Sequence, residues 1–126
     1  MYTPDELVAR TDGYVARAIH LFDTWGEFPR GDRLIDRLYE IPSNWRDAIP
    51  EALTADDMFS DDRCVLARVM TLAGADSEPY DRGLDLLGMT PADATPYGFD
   101  IAWGDSAKSM HFVDLAMAWN RALGLV

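Results

Sequence analysis

Residues 60–74, SDDRCVLARVMTLAG, constrain the fold of this chain more than any other stretch. Val65, Leu66, Val69, Met70, Leu72 and Ala73 recur at three- and four-residue spacing, the period of a helix and not of a strand. Together they cover more than half of the helix surface. A short helix that is apolar over so much of its surface is packed on several sides. The spacing therefore predicts a central helix with other helices around it. Ser60 reads as its N-cap, a hydroxyl able to accept a bond from a free first-turn amide. Asp61 and Asp62 place negative charge at the positive end of the helix dipole. Gly74 reads as the left-handed residue that ends the helix.

The rest of the chain supplies shorter or more one-sided elements. Thr3-Pro4-Asp5-Glu6 is a capping box with proline at the first helical position. The helix it opens carries Leu7, Val8, Tyr14, Val15, Ala18, Ile19, Phe22 and Trp25, and Gly13 is expected to bend or break it near residue 12. Asp32 reads as the cap of a short helix with Leu34, Ile35, Leu38 and Tyr39 on one face, stopped by Pro42. A turn over residues 44–49 presents Trp45 and Ile49. Thr54 opens another helix start, leading towards the central helix. Pro79 begins a two-turn helix with Tyr80, Leu84, Leu86 and Leu87, closed by Gly88. Thr90-Pro91 starts a helix that Pro96 limits to about one turn. The last helix is expected over residues 105–123, with Met110, Val113 and Met117 on one flank and Phe112, Leu115, Ala116, Trp119 and Leu123 on another. No stretch alternates with period two. The expected fold is all-α: a compact single domain over residues 1–126, with about three longer helices and several short helical turns.

Charge narrows the function classes. The 22 acidic residues face only 11 basic ones, giving −11. The excess is −3 over residues 1–40, −5 over residues 41–80 and −3 over residues 81–126, so no segment is a basic arm. Such a chain is expected to repel nucleic acid and anionic membranes, and its excess charge reads either as what keeps it soluble or as an attraction for basic protein surfaces. The single cysteine, Cys64, allows no internal disulfide, so a reducing compartment, the cytoplasm, is expected. The polar, acidic N-terminus does not read as a signal peptide. No apolar run reaches the length of a membrane span.

Three constellations are candidates for a site. Glu51, Asp56, Asp57, Asp61 and Asp62 form the densest acidic stretch and read either as helix-start charge or as a ridge that docks a basic partner. They neither alternate nor enclose the glycine that a calcium loop requires. Tyr97, Phe99 and Trp103, beside Gly98 and Gly104, read either as a cover for the core or as aromatic anchors of a contact. His20 with Asp23, and His111 with Asp114, each share a helix face at three-residue spacing. If the first and last helices pack together, these four could converge on a metal ion. Cys64 has arginines but no histidine near it in sequence and reads as a packing residue rather than a nucleophile. No serine lies in a Gly-x-Ser-x-Gly elbow, and no glycine-rich phosphate loop occurs.

Cys64 to Arg68, CVLAR, is followed by Leu84 to Ala94, LDLLGMTPADA, and then by an aromatic. This pattern resembles small acidic, uncharacterised proteins of actinobacteria and their phages. The resemblance covers residues 64–99, implies a phage or actinobacterial origin and transfers no catalytic residue. Pro96 departs from the pattern by interrupting a helix there. The leading expectation is a non-enzymatic acidic protein, phage-encoded, that binds a host protein with a basic surface, needs no cofactor and presents carboxylates where phosphates would lie. The alternatives are a metal-binding bundle or small metal-dependent enzyme using His20, Asp23, His111 and Asp114, and a self-associating phage assembly component.

Overall fold

The computed structural model describes residues 3–27, 34–58, 60, 62–94 and 112–125. Among these every regular element is helical: α1 (Pro4–Asp23), a 3₁₀ turn (Trp25–Glu27), α2 (Ile35–Leu38), a second 3₁₀ turn (Trp45–Ala48), α3 (Ala55–Met58), α4 (Val65–Leu72), α5 (Pro79–Leu87), α6 (Pro91–Ala94) and α7 (Phe112–Leu123). No helix among the described residues is long and apolar enough to cross a membrane.

The central helix is α4. Val65, Leu66, Ala67, Val69 and Met70 are buried on it. It meets α5 and the Trp45 turn, while α1 packs against α7, α3 against α7 and α2 against α5. Among the described residues Trp45 and Trp119 are the largest wholly buried side chains. Gly83 of α5 lies so close to α4 that an added Cβ would sit 2.7 Å from Leu66 Cγ. That close approach fixes how α5 is turned, with Tyr80, Gly83, Leu84 and Leu86 inward.

The starts of the helices follow local chemistry. Thr3 and Glu6 close the capping box of α1 reciprocally, at 3.2 and 3.3 Å. Thr54 with Asp57, and Thr90 with Asp93, repeat the device with aspartate in place of glutamate. The Thr90 amide and hydroxyl bonds to its carboxylate hold Asp93 below the ordinary aspartate range. The ends are equally regular. At α4 the Ala75 amide donates to the Met70 carbonyl at 2.9 Å and the Gly74 amide to Thr71 at 3.0 Å. This is a Schellman ending, and it needs the positive φ that Gly74 adopts. α5 and α7 end the same way, at Gly88 and Gly124.

Several expectations are corrected. Ser60 does not cap α4: its carbonyl accepts the Cys64 amide, and its hydroxyl bonds the Asp62 carboxylate. The turn thus formed delays the helix by four residues, and Cys64 is the N-cap, its Sγ accepting the Ala67 amide at 3.5 Å. No acidic residue then lies in the first turn of α4. Gly13 does not break α1, because the continuous helix carries it on an exposed face with open space around its Cβ position. Trp25 lies beyond α1, in the 3₁₀ turn. On α2, Leu34 and Leu38 face outward while Asp36 is buried, since a single turn has no room for a broad apolar stripe. On α7, Val113 and Met117 are exposed, and the buried flank is Leu115, Ala116, Ala118, Trp119 and Asn120. Asp32, Pro96, Met110 and the remainder of the expected last helix, residues 105–111, lie outside the described residues.

Candidate functional site

The acidic stretch divides once its side chains are placed. Asp57 points inward, its side chain 12% exposed. Oδ2 accepts the Thr54 amide at 2.9 Å, and Oδ1 lies 3.3 Å from Arg68 Nη2 and 3.9 Å from Arg63 Nε. Arg68 is itself fixed by donating from Nε to the Arg63 carbonyl at 2.7 Å. Asp57 is therefore a buried junction between α3 and α4, already neutralised, and is not available to a partner. That corrects its placement in a contact ridge. Its position three residues after Thr54 is the cause, since a cap at N3 turns the carboxylate back over the helix start. Glu51, Asp56 and Asp62 remain exposed. Asp61 lies outside the described residues, as do Tyr97, Phe99, Trp103 and His111.

The same stretch is anchored from the other side by a residue that sequence reasoning did not single out. Asn120, buried on α7, accepts the Leu53 amide through Oδ1 at 2.7 Å and donates through Nδ2 to the Leu53 carbonyl at 2.9 Å. This amide pair spans 67 positions of sequence and fixes the segment before α3. No local pattern announces it: an asparagine on an amphipathic helix looks like surface until its partner is known.

α1 and α7 do pack together, as a shared metal site would require. Between them runs a groove of about 570 Å³ lined by Asp12, Ile19, His20, Asp23, Ala118 and Arg121, among others. The carboxylates in it have other partners. Asp23 takes both guanidinium nitrogens of Arg46, at 2.9 and 3.0 Å, and the indole N–H of Trp45 at 2.9 Å. The Arg46 bonds chiefly hold the Asp23 carboxyl below its ordinary value, against an opposing effect of burial, and the Trp45 bond adds to the lowering. Asp12 pairs with Arg121 at 2.7 Å. Among the described residues no group of three or more His, Cys, Asp or Glu could hold a metal ion. Asp23 instead latches the end of α1 to the Trp45 turn, where Phe22 and Trp45 meet at 5.0 Å and Arg46 lies over the Trp45 ring.

A second acidic face was not anticipated. Asp76, Glu78, Asp81 and Asp85 are all exposed, and no described cation pairs with them. Asp81 and Asp85 stand one turn apart on the side of α5 opposite its buried residues. Glu78 precedes the helix with φ 48°, the one left-handed non-glycine residue described. The signal in the sequence was the aspartate pair at four-residue spacing, out of phase with Tyr80, Leu84 and Leu87. Across the molecule fifteen of eighteen described acidic residues are exposed. The arginines are fewer and partly paired: six of the eight described are exposed, and Arg46, Arg63, Arg68 and Arg121 meet carboxylates. Comparison of the chain with protein-family models, with curated proteins and with solved structures finds no match.

Proposed function

We propose that this chain is an acidic interaction protein, phage-encoded, that docks on the basic surface of a host protein and occupies it as nucleic acid would. One observation supports the reading: among the described residues fifteen carboxylates are exposed against six arginines, and most of those carboxylates meet no described cation. Such a surface raises the local attraction for a basic partner, speeds encounter and makes binding fall with salt. The contact set in this proposal is Asp76, Glu78, Asp81 and Asp85, together with Glu51, Asp56 and Asp62.

The test is affinity capture from actinobacterial lysate at low and at high salt, followed by competition with duplex DNA. The expected result is a nucleic-acid-binding protein retained at low salt, released at high salt and displaced by DNA. Capture that resists both salt and DNA contradicts the proposal.

A further inference from the structure

The outer face of α7 differs from the acidic faces of the molecule. Val113 is 58% and Met117 51% exposed, one helical turn apart. The charged residues beside them are Asp114, half-buried, and Arg121, exposed, seven positions apart and so on the same side of the helix. Counted with Asp12, which pairs with Arg121 at 2.7 Å, the group carries one net negative charge, against four carboxylates at Asp76, Glu78, Asp81 and Asp85. A basic partner gains less from it than from those carboxylates. A second copy of this chain approaches it with less repulsion than it meets there.

The charges are also self-complementary. A two-fold axis near Met117 sets residues at equal distances before and after it opposite one another. Asp114 lies three positions before Met117 and Arg121 four after, so each Asp114 comes opposite the other copy's Arg121. Arg121 already gives one N–H to Asp12 through Nη2, and a guanidinium has further donors for a second carboxylate. We propose that the chain forms a two-fold dimer through α7, with Met117 at its centre, reciprocal Asp114–Arg121 pairs on either side of it and Val113 at the outer ends. α7 is 12 residues long and thus about 18 Å, so the contact is small and the dimer weak and concentration-dependent.

Sedimentation of the full chain over a concentration series tests this, at low salt and at about 1 M, where the Debye length is ~3 Å. The expected result is a monomer–dimer equilibrium that tightens with salt, because screening the repulsion between two chains of −11 outweighs what the exposed Asp114–Arg121 pairs lose. This sign is opposite to that of docking on a basic partner, so the failure of either proposal is distinguishable from failure of the other. Met117→Glu loosens the equilibrium about tenfold or more by placing unpaired charges at the centre, with an unchanged thermal melt by circular dichroism. Asp114→Arg and Arg121→Asp each weaken association alone, and the two variants mixed associate more tightly than either by itself. A chain that stays monomeric at both salt levels overturns the proposal. A dimer that Met117→Glu leaves intact, or that salt dissolves, also overturns it, because its contact lies elsewhere.

Discussion

Two acidic runs, residues 51–62 and residues 76–85, are similar in composition and opposite in use. In the first, Asp57 turns inward to two arginines and a helix cap, and Asn120 clamps Leu53 from behind. In the second, all four carboxylates face solvent while the inner side of α5 closes on Leu66 through Gly83. Local density of acid is therefore a poor guide to presented charge. What decides is the cap three residues earlier: the Thr54 amide bonds Asp57 and turns it back over its helix, whereas Asp81, equally in a first turn, follows Glu78, which makes no side-chain cap bond, and stays outward.

The contrast can be broken at its strongest point by Asn120→Ala. It orphans the Leu53 amide and carbonyl together, and denaturant unfolding is expected to show a loss of about 3 kcal/mol. A loss under ~1 kcal/mol means that the segment before α3 is not fixed by this clamp. Asp57→Ala comes next. It removes a cap and strands Arg68, for a loss of about 2 kcal/mol. Asp56→Ala, one residue away and exposed, is expected to change stability by less than ~0.5 kcal/mol. Equal effects of the two substitutions would erase the inward–outward distinction on which the comparison rests.

Asp23 sharpens the comparison through pH. Its folded pKa is depressed, so its contribution to stability is complete above the unfolded value and is lost as pH falls through the folded one. Because both partners are partly exposed, the contribution is below ~1 kcal/mol. Thermal melts from neutral to acid pH are expected to show Asp23→Asn less stable than wild type at neutral pH, with the gap closing in acid. A constant gap would mean that the Arg46 pair does not set the titration. The smallest effect belongs to Asp85→Asn. Relieving like charges one turn apart, and a negative charge in the last turn of α5, should stabilise the chain by about 0.2–0.5 kcal/mol at low salt, read from the same denaturant curves. A destabilisation would reveal a partner for Asp85 within the fold.

Much of the architecture was legible because it is written locally. Thr3, Thr54 and Thr90 open helices where their spacing to an acidic residue says they should. Gly74 and Gly88 end them, and the apolar run of α4 lies at the centre of the core. What misled was equally local grammar read without its context. Ser60 is as good a cap as Cys64 by residue type, but the Cys64 amide is claimed by the Ser60 carbonyl, and the helix starts later. Gly13 is a helix breaker by propensity, yet α1 has enough packing on its other face to continue through it. The site was less legible than the fold. The direction of Asp57, the partners of Asp23 and the reach of Asn120 depend on contacts between elements 11 to 67 positions apart. No spacing rule in a single helix encodes such contacts.

The most direct measurement is a salt titration of docking with three proteins: the wild type, a variant with Asp76, Glu78, Asp81 and Asp85 changed to their amides, and one with Glu51, Asp56 and Asp62 changed likewise. Each is titrated against the basic protein that the wild type retains from lysate. The account predicts that the first variant loses most of the affinity and most of the salt dependence, that the second loses less, and that all three melt within a few degrees of one another. Undiminished, salt-dependent binding by both variants would contradict it, because the outward carboxylates would then not be the docking surface.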